Sequence, residues 1–191
     1  MVVHIGTKYL SGHSDLCCGI AVTSHEHAAR IRTLARNMGG SLNAASCYLL
    51  ERSLKTLALR VERQTDNASR IAEFLNSHDA VRKVNYPGLP NFKGHEIAKM
   101  QMTNFGAMLS FELDERRVQP KVFLHRLRMI RPAVSLGGVE TIICSPSETS
   151  HAKISPEERR RIGITDNLLR LSVGIEHYDD LLEDLVQALN G

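Results

Sequence analysis

From Asn43 to Asn76 the chain carries neither glycine nor proline. Its apolar positions there recur at Ala45, Tyr48, Leu49, Leu54, Leu57, Val61, Ala68, Ile71, Ala72 and Leu75, with arginines and glutamates on the other face. That spacing aligns apolar side chains along one helical stripe and predicts a long helix with room for one break. A helix of this length commonly joins two domains, which places a boundary near Arg60. Upstream, residues 2–5 read as a short buried strand running into Gly6-Thr7-Lys8, and residues 19–23 as a second strand. Ser24 suits the N-cap of a helix reaching about Leu34, and Met38-Gly39-Gly40-Ser41 ends it. Downstream, strands are expected at 81–84, 107–113, 127–131, 140–144 and 168–173. Helices are expected at 96–102, 120–125, 156–161 and 179–189. Ser155 before Pro156, with Glu158 three residues after the serine, is a strong helix start. Strands with helices set between them imply an α+β domain with a mainly antiparallel sheet.

Composition narrows the class. Hydrophobic residues make up 42% of the 191 and charged ones 24%, enough apolar material for a core. A net charge of +3 is too small to mark a nucleic-acid binder. The Arg159-Arg160-Arg161 run sits beside Glu157 and Glu158 and reads as a solvated helix face. Nothing approaches the ~20 consecutive apolar residues of a membrane span. Cys17, Cys18, Cys47 and Cys144 lack metal-site spacing and read as reduced, mostly buried thiols of a cytosolic protein. No metal site is expected. A buried-looking strand at the very start has few partner strands nearby, so a preceding portion is expected.

Two groups carry candidate chemistry. Lys8 follows a strand and a Gly-Thr turn. An amine can form a Schiff base only when unprotonated, and a rigid strand end would hold it steady, with the Thr7 hydroxyl free to donate to a phosphate oxygen. The tripeptide alone also fits a partly exposed surface lysine. Arg170 lies between Leu168-Leu169 and Leu171, so its charge needs a partner. Its guanidinium fork suits a carboxylate, and a structural ion pair, for instance to Glu176, is the alternative. Ser135 opens a Ser-Leu-Gly-Gly turn able to aim N–H groups and a hydroxyl at an anion, or serving as an ordinary turn. His13, His95 and His151 share no spacing signal and read as structural.

The longer string Thr7-Lys8-Tyr9-Leu10-Ser11-Gly12-His13-Ser14-Asp15, followed by Gly19, resembles the cofactor-lysine signature of the Cys/Met-metabolism enzymes that use pyridoxal phosphate (PLP). That family includes cystathionine γ-synthase, cystathionine γ- and β-lyases and methionine γ-lyase. The likeness continues through Leu54-Lys55-Thr56-Leu57 with Arg60, Tyr86-Pro87-Gly88-Leu89 with Gly94-His95, and Phe105-Gly106-Ala107-Met108-Leu109-Ser110-Phe111. Ser135-Leu136-Gly137-Gly138-Val139-Glu140 and Leu169-Arg170-Leu171-Ser172-Val173-Gly174 complete it.

The resemblance implies an α/β fold, the C-terminal part of a PLP-dependent transferase of the aspartate-aminotransferase-like type I architecture. Residues 1–60 would be the remnant of the large cofactor domain, and 61–191 a small α+β domain. It implies β- or γ-elimination or replacement on a sulfur amino acid. Lys8 would be the Schiff-base lysine and proton carrier, and Thr7 a phosphate ligand. Ser135 and Arg170 would hold the substrate α-carboxylate, and apolar Val134 would suit an uncharged substrate side chain. It further implies a cytoplasmic homo-oligomer, a homotetramer, or pairing with a companion N-terminal half. That half would carry the ring-stacking tyrosine, the aspartate for the ring nitrogen and a Gly-rich phosphate loop, so the chain alone is expected to bind PLP weakly and catalyse poorly. A truncated, non-catalytic interaction protein is the alternative. Three positions depart from the family pattern. Ile5 stands in place of a phosphate-binding serine, Ser53 in place of a glycine, and Glu148 adds a charge in the loosely matching segment 145–151.

Overall fold

A computed structural model describes residues 1–190 and divides into two compact units, Met1–Leu59 and Arg60–Gly191. In the first, β1 (Val2–Ile5) pairs antiparallel with β2 (Gly19–Val22) in a two-stranded ribbon. The expectation of a buried first strand is corrected. Val2, Val3 and Ile5 are 54%, 68% and 70% exposed, because an apolar run sets the extended conformation without supplying a second layer to cover it. Helix α1 (His25–Met38) starts at Ser24, whose hydroxyl accepts from the His27 N–H at 3.5 Å. It runs four residues past Leu34 to Met38 and ends at Gly39 in the left-handed region (φ +74°), within the predicted 38–41 stop. Helix α2 (Ala44–Leu54) is capped by Asn43, whose side-chain oxygen accepts from the Ser46 N–H at 2.9 Å. Its last turn tightens, with Lys55 and Thr56 N–H groups donating three residues back, before α3 (Leu57–Ser77) begins. The single break in the long helical pattern falls there.

The second unit holds β3 (Val81–Asn85), α4 (His95–Gln101), β4 (Met108–Leu113), α5 (Pro120–Arg126) and β5 (Arg131–Pro132), then β6 (Ile142–Cys144), α6 (Pro156–Arg161), β7 (Leu168–Ser172) and α7 (Tyr178–Asn190). The strands form one five-stranded sheet in the order β3-β4-β7-β6-β5. Only the β5–β6 pair is parallel. Along β4 the buried positions are Leu109, Phe111 and Leu113, the alternation of a strand with one covered face. The core joins them to Ile143, Leu169 and Leu171 of the sheet, Ile71 and Leu75 of α3, Phe123 of α5, and Leu181 and Leu185 of α7. Burying each such side chain contributes about 1.5–3 kcal/mol. Phe111 meets Phe123 edge to face at 6.0 Å.

Two predicted strands are shorter than expected, and the reason is where their amides go. Residues 127–130 are not a strand. The carboxylate of Asp184 on α7 accepts the N–H groups of Arg128 (2.8 Å), Met129 (3.0 Å) and Ile130 (2.8 Å), so no neighbouring strand is needed. Thr141 drops out of β6 because its N–H donates to the Glu176 carboxylate at 2.5 Å. The thiols are also less buried than expected. Cys17 and Cys47 are exposed, Cys18 is half-buried and only Cys144 is buried, and all four are free.

Candidate functional site

The Lys8 segment is a tight turn over Gly6–Leu10 in which Lys8 itself (φ −100°, ψ −120°) departs from helical geometry. The turn is fixed at both ends. The Cys18 carbonyl accepts the N–H groups of Gly6 (2.8 Å) and Thr7 (3.2 Å), and the Cys18 N–H donates to the Thr7 hydroxyl oxygen at 3.0 Å. Ser11 N–H donates to the Gly6 carbonyl at 2.9 Å, and Gly12 N–H to the Lys8 carbonyl at 2.8 Å. Gly6 is buried, and a Cβ on it would collide with Cys18 Sγ. Burial, and then neighbouring Cys17 and Cys47, push the Cys18 thiol up, so this residue serves the turn through its backbone rather than as a thiolate. Lys8 and Thr7 are both half-buried. The Thr7 hydroxyl donates to Cys18 O over a long 3.3 Å, a bond that a charged phosphate oxygen would outcompete. Beside the turn, His13, Asp15, Leu49, Arg52, Ser53 and Thr56 line a cleft of about 250 Å³.

In the second unit, Arg170 sits on the central strand β7, paired with Ser110 of β4 and Cys144 of β6. Strand alternation puts it, with Ser172, on the face opposite Leu169 and Leu171. One guanidinium nitrogen donates to the Ser135 carbonyl at 2.9 Å, which brings these two predicted site residues together. Arg170 Nε is buried with no hydrogen-bond partner. The alternative ion pair to Glu176 does not form. That carboxylate is engaged by the N–H and hydroxyl of Thr141. A half-buried guanidinium with an unfilled donor is chemically suited to an anion. Val134, next to Ser135, is 65% exposed.

The segment after Ser135 is clamped by residues the sequence reading did not single out. Gly137 N–H donates to the Ser172 hydroxyl at 2.8 Å, and the Gln64 side-chain amide donates to Gly138 O at 2.6 Å. Asn67 donates to the carbonyls of Gly174 (3.1 Å) and Glu176 (2.9 Å). A signal for both was present. Counting back from Leu75, Ile71 and Ala68 at helical spacing, the buried stripe of α3 runs onto Asn67, Gln64 and Arg60. Residues of other motifs make contacts within the fold. Tyr86 OH donates to Gly106 O at 3.0 Å, His95 Nδ1 lies 2.8 Å from Pro87 O, and a Cβ at Gly88 would press on the Tyr86 and Phe105 rings. His151 hydrogen-bonds to its neighbour Ser150 and His13 to Ser11 O.

The α/β frame with its mainly antiparallel terminal sheet carries a lysine in a pinned turn in one unit and, in the other, an arginine bonded to the carbonyl that precedes a Gly-Gly pair. The sequence model of the Cys/Met metabolism PLP-dependent enzymes matches residues 1–190, and the chain belongs to that family. It is 51% identical over 99% of its length to a cystathionine β-lyase of Lactococcus lactis subsp. cremoris, covering 50% of that protein. It is 47% identical to a cystathionine γ-lyase of Bacillus subtilis, again covering 50% of it. It superposes on the crystal structure of cystathionine γ-lyase from Lactobacillus plantarum complexed with L-serine with a TM-score of 0.90 at 41% identity, over 98% of this chain and 49% of that one. The fold is therefore the α/β fold of these enzymes, and the chain spans about half the length of the curated relatives it matches. PLP is an aromatic aldehyde with a phosphate arm, and the residues present fit it. Lys8 would supply an amine for the aldehyde, Thr7 a redirectable hydroxyl for the phosphate, and the Arg170 Nε, which has no hydrogen-bond partner, a donor for a substrate carboxylate.

Proposed function

We propose that this chain forms the C-terminal portion of a PLP-dependent carbon–sulfur lyase or γ-synthase-like transferase acting on a sulfur amino acid. The observation that carries the proposal is Arg170, half-buried, fixed to Ser135 O and holding one unfilled donor. Lys8 would anchor the cofactor and, once displaced by substrate, use its Nζ to take the proton from substrate Cα and return it. Thr7 would hold the phosphate. Arg170 and Ser135 would grip the substrate α-carboxylate and so fix its orientation. Val134 would face the substrate side chain. Bound PLP would act as the electron sink for the pair left at Cα. The relatives' names span β-lyase and γ-lyase chemistry, and the residues above serve both. The resemblance assigns the ring-stacking tyrosine, the aspartate and the Gly-rich loop to an N-terminal half, so the working form pairs this chain with that half in a cytoplasmic homo-oligomer. Among the described residues no helix is long and apolar enough to cross a membrane.

The test is covalent. The chain, alone and mixed with the N-terminal half of the Lactococcus enzyme, is incubated with PLP, reduced with borohydride and digested. Mass spectrometry is expected to find the reduced cofactor on the peptide containing Lys8, more of it in the mixture, and none in Lys8→Ala. Equal labelling of Lys8→Ala would refute the role of Lys8.

A further inference from the structure

We infer that Gln64 and Asn67 are positioning residues for Arg170, two helix amides that set the substrate-carboxylate receptor by clamping the segments on either side of it. The inference rests on the carboxylate role proposed for Arg170. Both side chains are fully buried on α3. Gln64 Nε2 donates to Gly138 O, and Asn67 Nδ2 donates to Gly174 O and Glu176 O. Their orientation is unambiguous because every partner is a carbonyl oxygen, which only an NH₂ group can meet. The two amides are one helical turn apart, so one rigid element reaches both the 135–140 loop and the 174–176 turn.

Those segments are also tied to each other. Gly174 N–H donates to the Thr141 hydroxyl at 2.8 Å, Ile175 N–H to Val139 O at 2.8 Å, and Thr141 in turn donates to the Glu176 carboxylate. Ser135, whose carbonyl holds the Arg170 guanidinium, begins the clamped loop, and Gly174 lies four residues after Arg170. Shifting either segment moves the hydrogen-bond partner of the guanidinium or the arginine's own strand.

The cost of the arrangement points the same way. Gln64 Oε1 and Asn67 Oδ1 are buried with no hydrogen-bond partner. An apolar residue at either position would continue the stripe of Ala68, Ile71 and Leu75 and remove the unmatched oxygen, but would take the amide donor from the loop carbonyls. The amides therefore cost stability at their oxygens while their nitrogens fix two loops, a pattern expected of residues kept for geometry rather than for packing.

The experiment reads the Arg170 Nε–H signal of the ¹⁵N-labelled 191-residue chain, mixed with the unlabelled N-terminal half of the Lactococcus enzyme and PLP, by NMR during titration with L-methionine, and with L-methioninamide, which lacks the carboxylate. Gln64→Met keeps volume and removes the donor. Leu185→Ala, in α7, is a control that destabilises the unit without touching the loops. The wild-type signal is expected to move with methionine and not with the amide. Gln64→Met is expected to bind methionine about three- to tenfold more weakly, the factor of one net hydrogen bond, with faster amide exchange at Gly137 and Gly138. Leu185→Ala is expected to keep wild-type affinity. Unchanged affinity in Gln64→Met, or an equal loss in Leu185→Ala, overturns the positioning role alone. A wild-type signal indifferent to methionine overturns the carboxylate reading and this inference with it.

Discussion

Asp184 offers the sharpest test of how the small unit is held together. Its side chain is 5% exposed, yet it accepts three consecutive backbone N–H groups and a bond from Gln187 Nε2 at 3.0 Å. Asp184→Ala strands the buried Ile130 N–H, which costs about 1–3 kcal/mol, and forfeits two charge-assisted bonds whose donors water can partly recover. The expected total is about 3–5 kcal/mol, a fall in melting temperature of roughly 10–15 °C. Asp184→Asn keeps one acceptor oxygen for Met129 and Ile130 and turns an NH₂ toward Arg128, so about 2 kcal/mol is expected. Urea unfolding followed by circular dichroism measures both, and amide exchange at Ile130 localises the effect. An Asp184→Ala midpoint within about 0.5 kcal/mol of wild type would refute the reasoning, because it would mean that those amides need no carboxylate.

Two further outcomes follow from named contacts. The hydrogen bond from the Arg116 side chain, then that from its backbone N–H, lowers the Asp114 carboxyl to about 2. The folded form thus binds this proton more weakly than the unfolded chain. The contribution is present above the ordinary carboxylate range and is lost as pH falls toward 2. Asp114→Asn should therefore flatten the dependence of unfolding midpoint on pH between about pH 5 and pH 2, and equal slopes for the two proteins would count against it. A Cβ at Gly174 would collide with Val139 O and press on the Glu140 backbone, so Gly174→Ala is expected to cost about 2–3 kcal/mol in thermal unfolding.

What the sequence made legible depended on whether the signal was local. Caps and glycine stops are local, so Ser24 and Ser155 open helices and Gly39 closes one, each by contacts within four residues. The strand expected at 107–113 likewise lies within one residue of β4. Partnerships across the chain were not legible. Residues 127–131 carry strand-like side chains, and only Asp184, more than fifty positions away, removes the need for a ladder there. The same holds at the candidate site. Arg170 and Ser135 were visible through motif strings, and their mutual hydrogen bond is a fact of the fold. Gln64 and Asn67 were hidden because a polar residue in an amphipathic helix reads as solvent-facing unless the stripe is traced turn by turn.

The close approach of Gly6 to Cys18 ties two positions twelve apart into one shared space. Bulk added at residue 6 has to be surrendered at residue 18, or the peptide bearing Lys8 must slide along β2. Substitutions at these two places are therefore expected to be tolerated in compensating pairs rather than singly. The backbone of the lysine turn is thereby set in part by a steric match with a residue across the hairpin.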